Sequence, residues 1–276
     1  MSITDKKNIR LYFIIFSLFG FFIRIWISQF GSNHDFAMWE GNLLLFQENK
    51  SVYEYGNYAY SPLWINILNI LDLLKIPFLD ESSLTNKIPG SSYRIKIILF
   101  LSLVDFFIFY LLYKNYSLRV GLLFFLNPIS IIITGHHNQF SALALLIGFL
   151  AILIFEKNKS KNQIIFPLFL LGLSLCAKHI LIFFPIWWAI KERKLVNKIL
   201  ILVIPYSIFV LSFAPYLVND LEHVIDKLLY FGKRSDGPFW GMFGSKFIHM
   251  YFNLQTLYSI ILIFLGFVFQ NKKLRE

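Results

Sequence analysis

Long apolar runs separated by short polar stretches repeat from one end of the chain to the other. A membrane-spanning helix needs roughly 20 mostly apolar residues. Runs of about that length cover residues 11–30, 62–77, 94–113, 119–134, 139–155, 163–190, 197–216 and 254–270. The pattern therefore predicts an all-α polytopic membrane protein with about eight transmembrane helices. Pro128, Pro167, Pro185 and Pro205 fall inside these runs and predict bends. No 20–50-residue repeat is visible.

Two stretches interrupt the apolar pattern at greater length. In residues 31–61, Phe36, Trp39, Leu43, Leu44 and Phe46 recur at helical spacing, which predicts a short helix lying in the membrane interface. Residues 217–250 join an amphipathic segment to a Gly-rich, aromatic turn region. No polar stretch is long enough for a separate soluble domain, so residues 1–276 read as a single membrane domain. Its first outer loop is 31–61 and its second large outer loop is 217–250.

Composition agrees with the pattern. The chain is 57% hydrophobic and only 15% charged, against about a quarter charged in soluble domains. Its net charge of +10 fits basic loops facing anionic lipid, not a nucleic-acid partner. Lys and Arg are slightly more frequent on the side of the N terminus, which predicts that both long polar stretches face out. A rival topology folds 163–190 into a hairpin near Lys178, where eight spans make it one crossing. Cys176 is the single cysteine and forms no internal disulfide. The apolar run after "MSITDKKNIR" lacks a small-residue cleavage site and contains Arg24, so it reads as an uncleaved first helix.

Charges inside apolar runs need water, a partner or a function. Arg24 and Lys75 read as snorkelling side chains. Lys178, followed by His179, reads either as a phosphate ligand or as a structural partner of Asp105 or Asp72. At the mouth of the first run, "SNHDF" offers two compatible readings of Asp35. Either Ser32 caps a helix with Asp35 in its first turn, or Asp35 is a general base for a hydroxyl substrate with His34 beside it.

"TGHHNQF" places His136, His137, Asn138 and Gln139 between two runs. Adjacent histidines point apart on a helix and no cysteine or carboxylate is near in sequence, so a polar lining is expected here and not a metal. Lys233, Arg234 and Trp240 in "YFGKRSDGPFWG" suit either a phosphosugar or an exposed basic turn.

Five segments in this order resemble the GT-C superfamily of membrane glycosyltransferases, most closely the dolichyl-phosphate-glucose glucosyltransferases of N-glycan precursor assembly. An acidic residue follows the first span, and "YSPLW" (60–64) stands for the family's "YPPL"-like element. "LNPISIIITGHHNQF" (126–140) stands for "LNP…GHFQYN". "AKHILIFFP" (177–185) and "KLLYFGKRSDGPFW" (227–240) match two later elements. Thr134 stands where the family pattern has Asp, and the chain is shorter than most members.

The resemblance implies an inverting transferase that moves a hexose from a polyprenyl-phosphate donor to a glycan or lipid-linked acceptor. Asp35 would be the base. His34, Tyr60, His136, His137, Asn138, Gln139, Lys178, His179, Lys233, Arg234 and Trp240 would contact substrate. It implies no metal and no other cofactor. The Asn-, Ile-, Lys- and Phe-rich composition suggests an AT-rich bacterial genome, so the expected setting is a bacterial plasma membrane with the site facing out, ahead of the endoplasmic reticulum. A flippase of lipid-linked glycans, with broken helices around a midplane site, and an inactive membrane scaffold are the rival expectations.

Overall fold

The computed structural model describes residues 3–76, 91–157, 164–218 and 220–233. Among these the regular elements are helices, with no strand. They form two compact units, Met1–Lys50 with Leu63–Leu146, and Ser51–Pro62 with Ile147–Glu276.

The first unit opens with α1 (Ile3–Ile27), continued by a 3-10 turn, Ser28–Phe30. Gly31 then turns the chain with φ +127°, a region that L side chains rarely adopt. Next come α2 (His34–Gln47), α3 (Pro62–Leu73) and α4 (Ser91–Asn115). The pair α5 (Leu118–Phe125) and α6 (Pro128–Gly135) follows. Helix α1 packs against α4 and α6, and α4 against α5. At Gly135 an added Cβ would lie 2.5 Å from the Arg24 carbonyl oxygen, so glycine lets α1 and α6 approach closely.

Helix α2 buries Phe36, Trp39 and Leu43. Trp39 meets Trp64 and Phe140, and Trp64 stacks on Phe140 with centroids 4.2 Å apart. The apolar face expected to lie on the membrane interface thus serves as core. Leu44 alone of the buried-face candidates is strongly exposed.

Helix α7 (Ser141–Lys157) leads into the second unit. It is followed by α8 (Ile165–Ala177), a 3-10 turn at His179–Leu181, α9 (Phe184–Lys191) and α10 (Leu195–Leu211). Two further helices, α11 (Ala214–Leu217) and α12 (Leu221–Lys233), complete the described chain. Helix α10 packs against both α8 and α9. The segment 51–62 is anchored in this unit: Tyr53 is fully buried beside Phe213 and Tyr216, and the Ser61 hydroxyl donates to the Cys176 carbonyl.

Eight crossings are not what the described residues form. Two helical stretches, Leu11–Phe30 and Tyr93–Asn115, are long and apolar enough to cross a membrane, or four if each bent pair counts as one. The physical reasons are local. The run at 62–77 yields a helix of 12 residues, about 18 Å long at 1.5 Å per residue, against about 30 Å of hydrocarbon.

The run at 119–134 bends by 47° between α5 and α6. "LNP" makes that break: the Asn127 side chain accepts from the Ile129 N–H at 2.9 Å, and Pro128 restarts the helix at its first position. The run at 163–190 bends by 119° at Lys178, whose backbone is extended. An angle above a right angle turns the chain back on itself, which favours the hairpin over the single crossing. The expected span 254–270 lies outside the described residues.

Candidate functional site

Where α1 gives way to α2, the cap is Asn33 and not Ser32. Asn33 Oδ1 accepts from the Phe36 N–H at 3.4 Å. Asp35 then falls in the first turn of α2, where the helix dipole favours a carboxylate. His34 precedes it and is exposed.

The half-buried Asp35 carboxylate is held from one side. Asn33 Nδ2 donates to Asp35 Oδ2 at 3.1 Å, and Gln139 Nε2 donates to the same oxygen. One oxygen is fixed by two amides, and the other, Oδ1, accepts no hydrogen bond from a described residue. Asn33 Nδ2 also lies 3.2 Å from His137 Nδ1. An amide N–H donates, so Nδ1 accepts, and a neutral His137 carries its proton on Nε2. Residues 104 positions apart in sequence thereby form one polar cluster within the first unit.

Beneath that cluster lies Arg94. It is fully buried at the start of α4 and reaches both chain segments that carry the cluster. It donates to the carbonyls of Ser28 at 3.0 Å, of Gly31, and of His136 at 3.2 Å. Its Nε donates to Asn138 Oδ1 at 2.9 Å. Asn138 adopts φ +56°, and its amide in turn donates to the Thr134 and Gly135 carbonyls. A guanidinium suits this task because its five donors are fixed in one plane.

His136 stands beside Gly31: a Cβ on that glycine would lie 3.5 Å from His136 Nε2. Burial, then His137 and Arg94, push the His136 imidazolium below its ordinary range. Its Nδ1 is buried with no hydrogen-bond partner among the described residues.

A second buried arginine supports the same unit from further along α1. Arg24 does not snorkel: it is fully buried and pairs with Asp105 at 3.1 Å. It also donates to the Gly20 and Phe125 carbonyls and lies over the Phe125 ring, 4.4 Å from its centroid. Thr134 Oγ1 completes the Asp105 shell at 2.6 Å. Asp105 is thus the partner of Arg24 and not of Lys178, while Asp72 accepts from Gln47 at 2.9 Å.

In the second unit, Lys178, His179 and Tyr60 come together at the break between α8 and the 3-10 turn. Lys178 Nζ sits 5.4 Å from the Tyr60 ring centroid, and the Tyr60 and His179 rings are 6.3 Å apart. Tyr60 is held from behind, its carbonyl accepting from the buried Tyr53 hydroxyl at 2.7 Å. Lys233 ends α12; Arg234 and Trp240 lie outside the described residues. No group of three or more His, Cys, Asp or Glu among the described residues is placed to hold a metal ion.

Sequence reasoning missed Asn33 and Arg94. Asn33 was visible as an alternative cap one residue after Ser32. Arg94 in "SSYRIKIILF" reads as an ordinary basic residue at the end of a span, and only its burial reveals otherwise. Comparison of the chain with protein-family models, with curated proteins and with solved structures finds no match.

Proposed function

We propose that the chain is an inverting glycosyltransferase of the membrane. It moves a hexose from a polyprenyl-phosphate donor to a hydroxyl of a glycan or lipid-linked acceptor. The observation that carries this reading is the Asp35 carboxylate, rigidly mounted by two side-chain amides on Oδ2 and unoccupied at Oδ1. Geometry of this kind suits a base that acts on a hydroxyl as its oxygen attacks.

The acceptor oxygen forms its bond to the anomeric carbon from the face opposite the phosphate. The carbon–oxygen bond to phosphate breaks and its electron pair leaves with the lipid phosphate. The acceptor proton passes to Asp35, and the anomeric configuration inverts. Lys178 and His179, with the basic 233–234 pair, are the residues assigned to the leaving phosphate. The sequence resemblance assigns His137, Gln139, Tyr60 and Trp240 to substrate. The protein is multi-pass, its 31–61 loop faces out, and a bacterial plasma membrane is the setting this reading favours. No metal and no other cofactor enter it.

The test is turnover of purified protein in lipid with polyprenyl-phosphate hexoses. Asp35→Asn preserves shape and leaves the Asn33 cap intact, yet cannot accept the proton. Turnover should fall by ~10²–10⁴, the usual range for loss of a general base, with an unchanged melting temperature. Near-normal turnover of the variant would falsify the assignment.

One observation favours a second reading, a transporter of lipid-linked glycans: the 119° break at Lys178, since broken helices frame substrate sites in transporters. Reconstituted vesicles separate the two. A transporter moves the intact lipid-linked glycan across the bilayer with Asp35→Asn as well as with wild type. A transferase releases polyprenyl phosphate.

A further inference from the structure

A cavity of about 400 Å³ opens in the second unit between the C-terminal part of α7 and the length of α9, from Phe184 to Lys191. Its size is within the usual range for small-ligand sites, roughly 300–1,000 Å³. Four aromatic rings wall it in mutual contact. Phe155 meets Trp188 edge-on at 3.9 Å between centroids, and Phe184 touches both Trp187 and Trp188 at 5.4 Å.

Three charged groups line the same space: Glu156, Lys191 and Glu192. Lys191 Nζ lies 3.6 Å above the Trp187 ring, so one aromatic face of this wall already holds an ammonium group. Glu192 Oε1 accepts from the Arg193 and Lys194 N–H groups at 2.8 and 3.1 Å, which fixes that carboxylate at the rim. Glu156 has no hydrogen-bond or ion-pair partner among the described residues.

Among the described residues the lining carries one cation and two carboxylates. Helix α9 ends at Lys191, and the carbonyl end of a helix adds partial negative charge. Ring faces, carboxylates and helix carbonyl ends all attract a cation. Among the described residues a single lysine, Lys191, stands against them, which disfavours a plain anion. The cavity also reaches the C-terminal end of α9, and α8 and α9 form one of the bent pairs apolar enough for a membrane. Trp beside Lys at such an end marks the depth of lipid headgroups.

We propose that this cavity binds the ammonium group of a zwitterionic phospholipid headgroup. The ammonium lies among Trp188, Phe155 and Glu156, and Lys191 meets the phosphate. The site is independent of glycosyl transfer and stands or falls without it.

Native mass spectrometry of the purified full chain in neutral detergent tests this. The probes are phosphatidylethanolamine, phosphatidylglycerol with the same acyl chains, and O-phosphoethanolamine as the soluble amine. Phosphatidylethanolamine should bind about tenfold more tightly than phosphatidylglycerol, in keeping with a desolvated cation–π contact and a carboxylate. E156Q, on an exposed residue, and W188L should each weaken phosphatidylethanolamine several-fold and leave phosphatidylglycerol unchanged, while W188F keeps the ring face and retains binding.

Equal affinity for the two lipids, or E156Q and W188L without effect, makes the cavity an ordinary interfacial belt and overturns the proposal. Loss of binding in W188F equal to that in W188L also overturns it, since packing and not the π face would then be responsible. If O-phosphoethanolamine displaces the lipid at matched concentration, the ammonium site stays but its lipid source is wrong.

Discussion

Arg24 and Arg94 are both fully buried arginines of the first unit, and they do different work. Arg24 meets a carboxylate, Asp105, and its other donors go to α1, α5 and α6. That arrangement neutralises a charge and ties helices together. Arg94 collects carbonyls at 28, 31 and 136 together with the Asn138 amide. Those acceptors lie in the two turns that present Asp35 and Gln139. One arginine is braced into the bundle; the other braces the candidate site. Residue type and burial are the same, and the identity of the acceptors separates the roles.

The sharpest way to break this comparison is to remove the ion pair. Arg24→Met leaves Asp105 as a buried, unpaired carboxylate, and such losses typically amount to ~3–5 kcal/mol. Denaturant unfolding in detergent should show that drop, and Arg24→Met with Asp105→Leu should recover most of it. A double variant as unstable as the single one contradicts the ion-pair account. Arg94→Lys should behave otherwise. The charge stays, but one ammonium cannot reach four acceptors. Melting should fall as buried acceptors lose their donors, and at matched folded amounts hexosyl turnover should still fall by ~10², the scale of a misplacement near 1 Å. Equal turnover in wild type and Arg94→Lys would remove Arg94 from the support of the site.

Smaller effects sharpen the boundary between the two regions. Thr134 lies on it, its hydroxyl donating to Asp105 and its carbonyl oxygen accepting from the Asn138 amide. Thr134→Val deletes only the first contact and should lower stability by ~1.5–3 kcal/mol, as for a hydrogen bond to a charged group. Thermal melts with turnover at matched folded amounts check that stability falls and activity follows only in proportion. Asn138→Gly and Asn138→Ala both drop the amide, but only glycine relieves the φ of +56°. Glycine should therefore be the more stable of the two by about 1 kcal/mol, and a reversed order would mean the backbone conformation is not maintained.

The smallest effect concerns Glu40. Burial raises its pKa and the Arg94 charge opposes that rise. A carboxyl with a raised folded pKa favours folding at low pH and loses that contribution as pH climbs through the folded value. Melting temperature should thus slope downward with pH just above 4.5, the ordinary value. Glu40→Gln should flatten the slope, and an unchanged slope assigns it to another group.

The apolar pattern on its own located most helices, because burial in lipid or in a bundle selects the same 3.6-residue grouping of side chains. "LNP" also announced its break, since an Asn cap and a following Pro are local chemistry. The number of crossings was not written in hydropathy. A run of apolar residues reads alike whether it crosses straight, bends by 47° at Asn127 or turns back by 119° at Lys178.

The site divides along the same line. As a candidate, Asp35 was legible because a carboxylate beside an apolar run is conspicuous. That Gln139 and His137 would meet it through Asn33 was not, for contacts across 104 residues depend on how α1, α4 and α6 pack. Nor did any local signal separate Arg24 from Arg94. Both are basic residues near the ends of spans, and their roles follow from acceptors that come within 3 Å or so only when the chain is folded. Local rules set the elements and their caps. Long-range packing chose which charges are neutralised and which hold the site, because burial and partner identity do not exist until distant segments meet.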